Sequence, residues 1–171
     1  MVTLPSPPIA VRTTFARDMQ HEGWALESDV AVREGEALSA PLECLPFLQQ
    51  EERSIKGDTL LVRATDLGCP WGQRHAETVL ENQRLMPAEA RQYALVFPGT
   101  VWRHPDGSRY AACLCWGGAR WFLGFFWLDR NFYSDVRLLR PRMEFQPLEP
   151  VEGGVPGAGT GSNHTRPPSV R

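Results

Sequence analysis

The densest apolar pattern along the chain lies between Tyr93 and Leu128, in short runs broken by turn residues. Residues 93–97 read as a strand, Pro98-Gly99 as a turn, and Thr100 to Arg103 as a second short strand. His104-Pro105-Asp106-Gly107-Ser108 is a strong turn signal, because Pro presets φ and Gly supplies a left-handed residue. Arg109 to Trp116 follows, then Gly117-Gly118, then Ala119 to Leu128, which is the pattern of a two-residue hairpin. Asp129 to Asp135 reads as a loop and Val136 to Leu139 as a last strand.

The two hairpin turns set a register. With Gly117-Gly118 as the loop, Trp116 faces Ala119, Leu114 faces Trp121, Ala112 faces Leu123 and Tyr110 faces Phe125. The first turn puts Trp102 on the same side as Tyr110, so this face is uniformly apolar and is the expected core. The opposite face is mixed. It carries Arg103, Arg109 and Arg120 at its edges and Ala111, Cys113, Cys115, Phe122, Gly124 and Phe126 between them.

Upstream the pattern is helical. Asp58 is placed to cap a helix over 59–67, with Leu60, Leu61 and Ala64 as its stripe and Gly68 as its stop. A second helix is expected from Gly72 to Gln83, with Ala76, Val79 and Leu80 on one face, and a helical turn from Pro87 to Arg91. Residues 13–22 could form a short helix ended by Gly23, and residues 24–55 read as irregular with isolated apolar anchors.

The expected class is therefore α+β: short N-terminal helices packed on a small antiparallel β-meander or a partly open barrel. Three regions follow: an acidic, partly ordered region over 1–54, a domain over 55–142 with helices at 55–91 and strands at 92–141, and a Pro/Gly-rich tail over 143–171 expected to be disordered. Charge sharpens this division. Residues 1–55 carry −5 and residues 56–142 carry +4, within a chain of net charge −2. The +4 region is mildly basic, short of the stripe that marks a dedicated nucleic-acid binder.

No apolar run reaches the roughly 20 residues of a membrane span, and the longest, Trp121 to Leu128, is strand-length. The N-terminus lacks the pattern of a secretory signal. Cys44, Cys69, Cys113 and Cys115 are read as reduced thiols, and the expected location is cytoplasmic.

Residues 54–142 resemble a family of short uncharacterised bacterial proteins. The resemblance rests on Ser54-Ile55-Lys56-Gly57, Gly72 to Glu77, Leu95 to Arg103, Trp127-Leu128-Asp129 and Arg137 to Arg142. It implies a shared fold and carries no activity, site or substrate.

Four chemistries remain. Twelve of the seventeen aromatic residues lie between Tyr93 and Tyr133, which a small domain uses first as core. Interleaved arginines also allow a stacking platform for single-stranded nucleic acid, built from Arg103, Arg109, Arg120, Phe122 and Phe126. Cys113 and Cys115 with His104, Cys69 or His75 could in principle ligate zinc, but there is no Cys-x-x-Cys and no second close pair, so no metal or cofactor is expected. Cys69 with His75 would be the pair of a small cysteine-dependent enzyme, yet no catalytic motif accompanies them and no catalytic residue is assigned. The leading expectation is a non-enzymatic module with a protein partner, since the acidic first third could dock on a partner or fold back on the basic domain.

Overall fold

In the computed structural model, residues 6–142 are described; the expected tail over 143–171 lies outside them. The strands are β1 (Ile9–Ala10), β2 (Ala25–Asp29), β3 (Ala37–Leu38), β4 (Leu42–Leu45) and β5 (Ile55–Lys56). Two helices follow, α1 (Gly57–Asp66) and α2 (Gln73–Glu81). The chain then runs through β6 (Ala94–Arg103), β7 (Arg109–Trp116), β8 (Trp121–Trp127), β9 (Asn131–Phe132) and β10 (Val136–Pro141). The class is α+β.

The main sheet has six strands in the order β4-β10-β6-β7-β8, with β2 added on β6. Its ends, β4 and β8, do not meet, so the sheet is open and no barrel closes. Only β6-β7-β8 is the expected antiparallel meander; β10 runs parallel to β6, and the sheet is mixed.

The largest difference from the sequence reading is at Pro98-Gly99. These residues do not reverse the chain. They form a bulge inside one ten-residue strand, with the β7 register shifting between Phe97 and Val101. The bulge is where β6 changes neighbours: β10 pairs with Ala94 and Leu95, and β2 with Thr100 to Arg103. A proline cannot donate to a ladder, and a bulge is one of the few sheet positions that accepts it.

The β7-β8 hairpin also differs. Its loop spans Gly117 to Arg120, with Trp116 paired to Trp121, Leu114 to Leu123, Ala112 to Phe125 and Tyr110 to Trp127. This is a slip of two residues from the expected register. Because side chains alternate with period two, the slip leaves every residue on its expected face.

Both faces are covered. Ala76 and Val79 of α2 share a buried cluster with Leu95, Phe97, Ala112, Leu114 and Trp121. Leu60 and Ala64 of α1 share another with Val96, Val101, Ala111, Phe132 and Leu138. Each fully buried aliphatic or aromatic side chain contributes about 1.5–3 kcal/mol.

Asp58 does not cap α1. The helix starts two residues earlier than expected, at Gly57, whose N–H donates to the Leu128 carbonyl at 3.0 Å. The expected helix over 13–22 is reduced to a 3-10 turn, Met19–Glu22, capped by the Asp18 side chain and ended by Gly23 at φ 81°. Residues upstream of that turn bond elsewhere, as described below. The acidic first third belongs to the same body: β2 and β4 are strands of the main sheet, while Val11, Leu38 and Leu42 lie in the α2 cluster and Phe47 in the α1 cluster.

The bulge sits against the turn before α2. A Cβ on Gly99 would lie 2.3 Å from the Pro70 carbonyl oxygen. Gly99→Ala is therefore expected to lower stability by about 1–3 kcal/mol, read as a fall in the urea midpoint. Gly117→Ala, whose Cβ would make ordinary contacts at 3.4 Å, should stay within about 0.5 kcal/mol of the parent. Equal effects would refute the close approach.

Candidate functional site

The five residues of the expected nucleic-acid platform are placed in three different settings. Arg103 is exposed and bonds to Glu27 of β2. Arg109 bonds to Asp58 in the first turn of α1 at 2.7 Å and lies 3.5 Å from Asp129. Phe126 is partly covered, edge-on to Phe132 with the Arg130 guanidinium 4.8 Å above its ring. Arg120 and Phe122 are open. The middle of this face, Ala111 and Cys113, is buried, and Ala111 lies in the cluster that holds Leu60 and Ala64 of α1.

Cys69 and His75 do not form a pair. The Cys69 thiol points toward the Leu67 carbonyl at 3.8 Å, and burial pushes its pKa up to about 11. His75 is buried, and both of its ring nitrogens are taken. Nδ1 accepts from the Gly72 N–H at 3.2 Å, so the proton resides on Nε2, which donates to Glu36 at 2.7 Å. Trp71 stacks on the ring at 5.4 Å. Burial raises the Glu36 pKa, but the bonds from His75 and from the Arg33 N–H outweigh it and hold the carboxyl below its ordinary value. A cavity of about 300 Å³ opens beside this pair, lined by Val30, Arg33, Glu36, Trp71 and His75 among others. Neither His75 nitrogen is free to serve as a base there, and among the described residues no Ser, Thr or Cys lines the cavity as a nucleophile.

The rest of the α2 face is a buried polar network absent from the sequence reading. Glu77 accepts from the Ala16 and Arg17 amides at 2.7 and 3.0 Å and from Gln73 Nε2 at 2.8 Å. Gln73 also donates to the Arg17 carbonyl and accepts from the Trp102 indole at 2.7 Å. Thr100 accepts from the Gln73 N–H at 2.9 Å and donates to Asp29, which pairs with Arg74. Every buried side-chain polar atom among the described residues has a partner. Such a network fixes a structure; it leaves no group free for a ligand. Among those residues no three His, Cys, Asp or Glu side chains are grouped to hold a metal ion, and no helix is long and apolar enough to cross a membrane.

What is left open is an edge. β8 ends the sheet. Leu128 N donates to Arg109 O and Gly117 N to Arg120 O, which fixes the parity of the β7-β8 ladder. Phe122, Gly124 and Phe126 turn their backbone groups toward β7; Trp121, Leu123, Phe125 and Trp127 turn theirs away. The outer ladder is closed at its ends, where Trp121 N meets Gln83 Oε1 at 3.4 Å and Trp127 O accepts from Arg130 N at 3.3 Å. Leu123 and Phe125 between them have no ladder partner on that side among the described residues. Phe122 and Trp127 flank the edge, 49% and 47% exposed. The signal for this surface was the uncharged run Trp121 to Leu128; what the sequence did not reveal was that this strand lies at an end of the sheet.

Two predictions follow from the side-chain chemistry. Glu77→Ala should speed hydrogen exchange at the Ala16 and Arg17 amides on the order of 10–100-fold, the loss of about 1–3 kcal/mol from an abandoned buried donor. The Leu95 and Phe97 amides should change their exchange only as far as global stability falls. The second concerns Cys115. The neighbouring Cys113 thiol on the same strand face, and after it the Arg130 guanidinium, outweigh burial and lower the Cys115 thiol below its ordinary value. Burial holds Cys44 at about 11, like Cys69. Iodoacetamide at pH 7.5 should therefore alkylate Cys115 at least about tenfold faster than Cys44 or Cys69, as resolved by peptide mass spectrometry. Compared with known proteins, the chain matches no family model, no curated protein and no solved structure.

Proposed function

We propose that this protein is a non-enzymatic protein-interaction module whose working surface is the free edge of β8, which takes an extended polypeptide segment as an added strand. One observation carries the reading: a seven-residue edge strand without charge, proline or bulge, its Leu123 and Phe125 amides and carbonyls unpaired among the described residues, flanked by exposed Phe122 and Trp127. Proteins that must not pair through an edge blunt it with charges, prolines, bulges or a covering segment. None of the first three interrupts β8. Strand addition supplies main-chain hydrogen bonds for affinity and flanking side chains for selectivity. The ion pairs on Arg103 and Arg109 weigh against a phosphate-binding face, and the occupied nitrogens of His75 weigh against a catalytic base.

The test uses a fluorescent eight-residue peptide of alternating Val and Thr, with a single-stranded 12-mer oligonucleotide run in parallel. The peptide is expected to bind and to protect the Leu123 and Phe125 amides from exchange. Phe122→Lys and Trp127→Lys should each weaken it about tenfold, the loss of about 1.4 kcal/mol. Binding of the oligonucleotide alone, weakening steeply with salt and leaving those amides unprotected, would overturn the reading.

A further inference from the structure

Resting on that reading of the edge, we infer that the segment which pairs with β8 is β8 of a second copy of this chain, related by a two-fold axis through Gly124. The strand is close to a palindrome. From either end it reads Trp, Phe, apolar, then Gly124: Trp121 answers Trp127, Phe122 answers Phe126, and Leu123 answers Phe125. A two-fold interface is self-complementary, so a residue pairing it requires must occur twice in mirror order along one strand.

The backbone parity agrees independently. Antiparallel ladders alternate hydrogen-bonded pairs with pairs that exchange no bond. With Gly124 opposite its own copy as a non-bonded pair, Leu123 exchanges both bonds with Phe125 of the second copy. Those are the residues whose groups face outward, and the open part of the edge ladder is itself centred on Gly124. A non-bonded pair brings Cα atoms to about 4.5 Å, where glycine on both strands leaves the axis clear.

The side chains and charges follow. Phe122 of one copy lies beside Phe126 of the other on one face, and Trp127 beside Trp121 on the other, so each exposed ring gains an aromatic neighbour. Arg120, in no ion pair among the described residues, stands just before the strand, and exposed Asp129 just after it. The two-fold carries each Arg120 end to an Asp129 end, and it sets no two like charges at the axis. The resulting sheet runs unbroken through both copies. A contact of one strand per partner is at the small end of specific interfaces, so association is expected in roughly the micromolar range.

The experiment is sedimentation velocity on the full chain from about 1 to 300 μM, bracketing that range, with hydrogen exchange at both extremes. The expected result is a concentration-dependent dimer whose Leu123 and Phe125 amides gain protection as it forms. Phe122→Lys, which places a cation beside Phe126 of the second copy twice per dimer, should raise the dissociation constant at least about tenfold while leaving the thermal midpoint of the monomer unchanged. Arg120→Asp should weaken the dimer, and adding Asp129→Arg should restore it. A chain that stays monomeric throughout overturns the inference. If it still binds the Val/Thr peptide, the edge reading stands with another partner; if it does not, both fall. A dimer whose Leu123 and Phe125 amides are unaffected by concentration also overturns it, as does protection of those amides in the dilute monomer, which would assign the edge to a segment of the same chain.

Discussion

The close approach of two backbones at Gly72 and Gly99 organises this molecule. Gly99 N donates to Trp71 O at 2.9 Å, and a Cβ on Gly72 would lie 2.2 Å from Thr100 Oγ1. Any side chain at either position would push the turn before α2 away from β6. Held close, that turn lets Thr100, a sheet residue, accept the first N–H of α2. The same bulge carries β2: Gly99 O accepts from Val30 N at 2.8 Å, and Thr100 donates to Asp29. One irregularity in one strand thus positions a helix, a neighbouring strand and the polar groups between them.

That position has an energetic consequence. α2 meets the N-terminal segment through buried Gln73, Glu77 and Thr78 rather than through apolar residues alone. A buried carboxylate is tolerated only where donors surround it, and Glu77 finds them in the main chain of Ala16 and Arg17. Those two amides are what a helix over 13–22 would have used or left to solvent. The helix is lost there because a tertiary acceptor takes the segment's donors first, and the chain turns helical only after Asp18, where a local cap is available.

The legible parts of the fold share one property: their signals are local. The β6-β7 turn, the β7-β8 glycine loop and the stripe Ala76, Val79, Leu80 each depend on neighbours within a few residues, and each face they imply is the face the structure has. Even the two-residue slip at Gly117 preserved it, because parity, not register, decides which side is buried. The illegible parts depend on distant partners. Pro98-Gly99 reads as a reversal until β2, β10 and the 70–72 turn are all known to converge there. β2 is exposed along its whole length and has no apolar alternation to announce it; it is a strand because β6 offers it an edge. Among candidate site residues, sequence parity placed Arg103, Arg109 and Phe126 correctly on one face, but their partners, Glu27, Asp58 and Phe132, come from segments that no local pattern links to them.

The same accounting explains why the edge matters more than either face. A six-stranded sheet with a helix-bearing cluster on each side has disposed of its faces. Apart from β2, which carries Glu27 and Asp29, the two ends of the β4-to-β8 path are treated unequally. β4 is four residues long, with Glu43 bonded to Arg140 across the β4-β10 pair, so a charged pair sits at that edge. β8 is seven residues long and carries no charge at all. A sheet that needed only to stay apart from its neighbours would protect its longer, more apolar edge first. Here the protection is on the short edge and missing from the long one, and among the described residues Leu123 and Phe125 keep backbone groups without a ladder partner, which is the asymmetry on which the proposed strand addition rests.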